Sequence, residues 1–208
     1  MMTPSAARGK QPWEAAGGLR NLVRMSRTQY YVAASADGYI ADRENHLDWL
    51  LQYGFEAYQE HYDAFLADVG ALAMGASTYE FVLDQGDWAY GDLPVWVFTH
   101  RELPRPAGAE PTFVSGPVTL HAEALVAAAG ERNLWVVGGG KLAAQFADAG
   151  LLDELWLTYM PIVLGGGHPV LPTAAARDLR LQRTTHFEGG AVELRYVLEG
   201  PDRQVWPE

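Results

Sequence analysis

The chain of 208 residues contains no cysteine. Disulfides, thiol catalysis and thiolate-held metals are thereby excluded, and a reducing, cytoplasmic setting is the expectation. Long apolar runs are missing as well. No stretch reaches the roughly 18 consecutive apolar residues of a membrane-crossing helix, and the opening MMTPSAARGKQPWEAAGGLRNLVR has no apolar signal core. No membrane partner is expected. Positive charge is scarce, with 15 Lys and Arg against 26 Asp and Glu and a formal net charge of −11. Phosphate backbones are held by a surplus of cations, so nucleic acid is not expected as a partner. The six histidines (His46, His61, His100, His121, His168 and His186) stand singly, without H-x-x-x-H or H-E-x-x-H spacing. No metal site is expected from them. No serine sits in a G-x-S-x-G elbow; GASTY comes nearest and lacks the final glycine.

What is present is core-forming material: 49% hydrophobic and 20% charged residues, enough for one compact domain. Residues 1–27, rich in Ala, Gly, Pro and Arg without periodicity, read as a mobile extension, and residues 28–208 as a single domain. TQYYVAAS (Thr28 to Ser35) has the content of a buried strand, and YIADRENHLDWLLQYG reads as a long loop. Phe55, Tyr58, Tyr62, Phe65 and Leu66 fall at helical spacing. Short strands follow in ALAMG, LPVWVFT, TFVS and NLWVVG, with helices in STYEFVL, VTLHAEALVAAAG and KLAAQFADAG; Gly130 suits a left-handed cap. ELWLTYMPIVLG reads as a long strand, and LRLQRTTHFEGGAVELRYVLE as a hairpin around Gly-Gly. Strands alternate with helices up to about residue 150, then strand follows strand. The pattern predicts an α/β fold with a mostly parallel, helix-flanked sheet finished by an antiparallel hairpin.

The segment NLWVVGGGKLAAQFADAG carries the strongest local signal. Gly138, Gly140 and Ala143 satisfy G-x-G-x-x-A, yet a Rossmann fingerprint belongs in the first strand-to-helix turn with an acid about 20 positions on. Here the motif lies late, and Asp153 and Glu154 precede the next strand. A Walker A loop fails because Leu142 follows Lys141. The physical content survives both rejections. A strand that ends in glycines and opens a helix offers free backbone N–H groups and the positive end of a helix dipole. Two readings of this local motif stand: a phosphate cradle, or simple close packing of strand and helix.

Three separated segments carry a wider resemblance. YYVAASADGYIADRENHLDW, then ALAMGASTYE with VWVFTHR, then LWVVGGGKLAAQFADAGLLDELWLTYMPIVLGGGHPVL resemble the dihydrofolate reductase superfamily, and more closely its bacterial branch related to the C-terminal reductase domain of RibD. The resemblance implies a three-layer sandwich with helices on both faces of a mostly parallel sheet, and NADPH across the sheet's carboxyl edge. It places Gly138, Gly139, Gly140, Lys141 and Leu142 at the cofactor diphosphate, with an unusual cis peptide among the glycines. MGASTYE matches the family's M-G-R-x-T-[YW]-E, which brings Gly75, Ser77 and Thr78 to phosphate. Ala76 replaces the arginine that in relatives helps hold the adenosine 2′-phosphate. Thr99, His100 and Arg101 fall where relatives contact the same group, so NADPH is expected with NADH as the alternative.

On the substrate side the resemblance places Ala33 by the nicotinamide, Asp37 and Ile40 in a covering loop, Trp49 on the wall, and Thr158 behind the proton-delivering acid. That acid belongs early in the long helix, where Glu56 and Glu60 are candidates; Asp37 is the third candidate catalytic carboxylate. The implied activity is NAD(P)H-dependent reduction of a small heterocyclic or imine-like compound. S-x-D-G-x-I-A at Ser35 to Ala41 points to the RibD branch and a ribitylamino-pyrimidine precursor of riboflavin. A pterin substrate, as in dihydrofolate reductases, is the alternative, and a nucleotide-binding protein without turnover is the rival from another class. No deaminase zinc motif is present. Relatives commonly pair, so a homodimer is expected.

Overall fold

The strand β1 (Thr28–Ser35) is buried at both ends because parallel neighbours flank it on both sides. Around it the computed structural model, which describes residues 26–199, builds an eight-stranded sheet. In chain order the elements are β2 (Tyr39–Ala41), α1 (Asp48–Leu51), α2 (Gln59–Ala67), β3 (Val69–Gly75), α3 (Ala76–Asp84), β4 (Val95–Phe98), β5 (Thr112–Val114), α4 (Ala122–Ala129), β6 (Asn133–Gly138), α5 (Gly140–Asp148), β7 (Glu154–Met160), β8 (His168–Pro169), β9 (Leu179–His186) and β10 (Val192–Leu198). The sheet order is β5-β4-β3-β6-β1-β7-β10-β9. All pairings from β5 to β7 are parallel; β10 is antiparallel to both β7 and β9. This is the three-layer α/β sandwich that the alternation of strands and helices predicts.

The alternation of side chains along each strand assigns the layers. Tyr30, Ala34, Ala73, Leu134 and Val136 face α4 and α5, which contribute Leu125, Leu142 and Phe146 to one core. Leu72, Met74, Val97 and Trp135 face the other way, against Phe65 of α2 and Tyr79 of α3. A smaller cluster of Trp49, Met160 and Ala191 closes the end nearest α1.

Several sequence-based expectations are corrected. The stretch after β1 is not loop throughout, because Tyr39–Ala41 pairs with a two-residue strand at His168–Pro169 and Asp48–Leu51 is helical. The long strand through Gly165 stops at Met160, where Pro161 offers no ladder donor and Ile162 O instead accepts the Ala36 N–H at 2.7 Å. Gly130 has φ 62° but ψ −128°, so the end of α4 is not a left-handed cap. The hairpin forms as expected, and Gly189 and Gly190 take φ 84° and 90° in its turn. Residues 1–25 and 200–208 lie outside the described residues, so most of the expected extension does too. Ser26 is buried and Arg27 pairs with Glu154, which brings the ordered core two residues ahead of the expected boundary. Among the described residues no helix is long and apolar enough to cross a membrane.

Candidate active site

β3 and β6 are parallel neighbours, with Met74 in register with Gly138, so both strands deliver their last glycine to the same sheet edge. Each runs directly into a helix. Gly75 caps α3 and Gly139 caps α5, both in extended conformation and neither helix with a side-chain cap. Two helix N-termini thus present uncapped N–H groups and positive dipole ends side by side, the elements of an anion seat. The Gly138–Gly139 peptide is cis.

The three glycines have separate physical reasons. A Cβ on Gly138 would stand 2.8 Å from Thr78 Oγ1, so glycine lets the first turn of α3 pack on the end of β6. Gly139 meets only Ile40 Cδ1, at 3.9 Å. Gly140 lies under β8, where a Cβ would fall 2.2 Å from Pro169 O and 2.7 Å from Val170 O. The close-packing reading of the motif holds at Gly138 and Gly140, while Gly139 is left open on the side of the helix N-terminus. Leu142 is corrected from its expected place at the diphosphate. Its side chain is buried in the core and its N–H donates to Gly139 O at 2.9 Å, which leaves no donor for a ligand. Lys141 and Ser77 are exposed on the first turns of the two helices.

At the outer end of the seat, Thr99 Oγ1 accepts the Arg101 N–H at 2.9 Å and His100 is exposed. The Arg101 guanidinium is not free. It makes a bidentate pair with Glu80 of α3 at 2.9 and 2.7 Å, so the cation expected to replace the missing arginine at Ala76 is already neutralised.

On the α2 face of the same sheet lies a cavity of ≈ 350 Å³, which reaches β6 at Trp135. Ala33 and Thr158, opposite each other across β1 and β7, form its floor, and Tyr31, Tyr58, Gln59 and Tyr62 are on its walls. Glu56 and Glu60 are not among its lining. The helical phase explains this: Tyr58, Tyr62 and Phe65 face the sheet, which turns Glu60 toward a second, polar groove of ≈ 840 Å³ and leaves Glu56 exposed. Gln59 stands where an acid was expected. Trp49 is buried against Met160, which itself lines the cavity, and its neighbour Leu50 reaches the cavity in its place. Ile40, expected in a covering loop, is half-buried with its Cδ1 over Gly139.

Asp37 is corrected from a candidate proton donor to a staple. Its exposed carboxylate accepts hydrogen bonds from Ser35 Oγ at 2.7 Å, Leu164 N at 3.0 Å and Gly165 N at 2.7 Å. Led by the Ser35 bond, these hold its pKa below the ordinary 3.8, so it stays ionised near neutrality. The sign follows: the clasp between the β1–β2 turn and residues 164–165 is intact above pH 3.8 and is lost as pH falls through the lower folded value. In hydrogen exchange, the Leu164 and Gly165 amides are expected to be protected at pH 6 in the native chain and unprotected there in Asp37→Ala. Equal protection in both would contradict this role.

One cluster escapes sequence reading. Glu193, fully buried on β10, accepts hydrogen bonds from Arg195 Nε at 2.8 Å and, from across the sheet face, pairs with His61 Nε2 at 2.7 Å. Arg195 Cζ lies 3.3 Å from the Trp156 ring centroid. The only signal is Glu and Arg two apart in VELRYVL, which puts both on one strand face without naming a partner on α2. The cluster backs the cavity through Tyr31, whose phenol pKa is pushed up by burial and by Glu193 and is opposed by Arg195. Tyr31 is therefore a neutral donor at physiological pH.

With this geometry, residues 85–192 match the family described as the RibD C-terminal domain. Over 179 residues the chain is 32% identical to the uncharacterized protein YwjB of Bacillus subtilis (strain 168), covering 82% of this chain and 97% of that one. A solved structure from Shewanella sp. PV-4, given a provisional riboflavin-biosynthesis description, matches with TM-score 0.70 and 27% identity over 84% of this chain and 99% of that one. The Thermotoga maritima diaminohydroxyphosphoribosylaminopyrimidine deaminase/5-amino-6-(5-phosphoribosylamino)uracil reductase shares the fold, with TM-score 0.60 and 17% identity over 83% of this chain and 56% of that longer one. With a family match over more than half of its length and a relative 32% identical over most of both chains, the chain belongs to the RibD C-terminal domain family of reductases.

Proposed function

We propose that the chain is an NADPH-dependent reductase of a small ring carrying a C=N or C=C bond, with NADH as the alternative cofactor. The observation that carries this reading is the pair of uncapped helix N-termini at Gly75 and Gly139, on the same sheet as the cavity floored by Ala33 and Thr158. When bound, the nicotinamide supplies a hydride to the ring carbon and leaves oxidised, while a proton is taken up by the neighbouring atom. The chain's own residues do the rest. Backbone N–H groups of α3 and α5 hold the diphosphate, Ile40 shields the Gly-Gly peptide, and the aromatic wall excludes water from the ring. Gln59, Thr158 and the phenols of Tyr31, Tyr58 and Tyr62 are the polar side chains of the lining that can orient the substrate.

The pterin alternative is weakened by Gln59, since dihydrofolate reduction relies on an acid at the ring and the cavity wall has none. The test is direct: titrate the chain with NADPH and follow nicotinamide fluorescence, then follow cofactor oxidation with pyrimidine and pterin substrates. Tight binding without turnover of any ring favours a nucleotide-binding protein, and no binding of either nicotinamide cofactor removes the reductase reading. The cofactor preference has its own lever. Glu80→Gln frees Arg101 and is expected to raise the NADPH over NADH affinity ratio by roughly tenfold; an unchanged ratio would separate Arg101 from the 2′-phosphate.

We also propose a cytoplasmic homodimer with neither nucleic acid nor membrane as partner. β9 supports self-association, because it is an eight-residue edge strand on which Leu179 and Leu181 are 40% and 51% exposed. Light scattering after sizing is expected to give twice the chain mass; a monomer would contradict it.

A further inference from the structure

We infer that the substrate of this cavity is an uncharged, unphosphorylated planar ring system of one or two fused rings with a neutral hydrogen-bonding edge. The inference rests on the reductase reading and narrows it. Among its lining residues the cavity has no Asp, Glu, Lys, Arg or His. Five of them are aromatic: Tyr31, Phe55, Tyr58, Tyr62 and Trp135. Such walls match the thickness of a flat ring and offer an ion no compensation for the water it would shed.

A phosphate group needs a guanidinium fork, an ammonium or a nest of backbone N–H groups. Two half-buried or clasp-forming arginines are committed elsewhere. Arg195 is locked to Glu193 and stacked on Trp156 behind the cavity, and Arg43 donates to Gly165 O at 2.8 Å. At ≈ 350 Å³ the cavity has room for one or two fused rings, and any substituent on them leaves through its open mouth without a cation from the lining to meet it.

The polar requirement of the site is visible at Thr158. Thr158 is 4% exposed and lines the cavity, and its hydroxyl lies against the Tyr31 phenol, a weak contact that opposes the upward push on the Tyr31 pKa. The two hydroxyls can each donate and accept, so together they offer a bound ring both roles. With the Gln59 amide they suit a ring carbonyl and N–H pair. None of the three compensates a full charge.

The test uses isothermal calorimetry on the full chain with two probes that differ only in phosphate, 5-amino-6-(ribosylamino)uracil and its 5′-phosphate, and with lumazine as a compact neutral ring. Lumazine is expected to bind, and the unphosphorylated uracil to bind at least about tenfold more tightly than the phosphate. Thr158→Val is expected to weaken lumazine roughly tenfold while the chain keeps its native circular dichroism, because it removes a hydroxyl from the cavity floor and fills the same volume. Equal or tighter binding of the phosphate, no binding of lumazine, or full lumazine affinity in Thr158→Val would each overturn the inference. NADPH fluorescence in the same samples keeps the two readings apart. Cofactor binding with preference for the phosphate sinks the substrate class and leaves the reductase; absence of cofactor binding sinks the reductase whatever the rings do.

Discussion

Arg195→Met is expected to cost about 3–5 kcal/mol of folding stability, the loss seen when one member of a buried ion pair is removed. The magnitude comes from what remains. Glu193 has no solvent exposure and sits opposite Thr158 in the β7–β10 ladder, so its carboxylate cannot swing to water. Without Arg195 it keeps only His61, and the Trp156 face loses the cation lying 3.3 Å from its centroid. The coupled substitution separates lost charge from lost packing. Glu193→Leu with Arg195→Met removes both charges, and most of the stability is expected to return, because a buried pair replaced by apolar groups is often neutral. Urea unfolding at constant slope is the measurement. A single variant that unfolds within about 1 kcal/mol of the native chain would show the cluster to be surface-like in energy.

Gly140→Ala is the second large effect, and its sign runs against helix propensity. Gly140 is the first residue of α5, where alanine is favoured over glycine by about 1 kcal/mol. The contact outweighs the propensity. The new methyl would stand 2.2 Å from Pro169 O and 2.7 Å from Val170 O, and both are backbone atoms. They cannot retreat cheaply, since Tyr39 pairs with Pro169 and the Val170 N–H donates to Gly38 O at 3.0 Å. Overpacking of this kind costs about 1–3 kcal/mol net, and it displaces the N-terminus proposed to hold the diphosphate. NADPH affinity is expected to fall at least about tenfold. Gly75→Ala is the control for stability alone, because its methyl would meet no protein atom closer than 3.9 Å and its φ of −83° suits any residue. Equal stability of the two variants would refute the packing account.

The features legible in the sequence are those whose physics is local. Gly189 and Gly190 announce the terminal hairpin because the turn demands positive φ, and the run from Asn133 into three glycines announces a strand opening a helix. The second strand-to-helix junction, at Gly75, came from the family resemblance of MGASTYE and not from a local glycine signal. What failed depended on phase or on distant partners. Gln59 and Glu60 are adjacent, yet a helix turns about 100° per residue, so one faces the cavity and the other the polar groove. Asp37 looks catalytic in S-x-D-G until the amides of residues 164–165 are found on its carboxylate. Glu193 meets His61 across 132 positions, and Arg101 meets Glu80 across a strand and two loops. No pattern within either segment names the other.

The central place of β1 also dictates an order of assembly. Its neighbours β6 and β7 begin more than 100 residues later, so the first strand made must wait for the last third of the chain before its ladders can close. Such non-local pairing slows folding, because the loop entropy is lost before the contacts are gained. A nascent chain released before β7 would hold α3 and α5, the helices proposed to meet the diphosphate, and still have no cavity floor, since Ala33 would lack Thr158 beside it. The proposed cofactor seat and the cavity are therefore completed by different strands, and the cavity waits for the seventh.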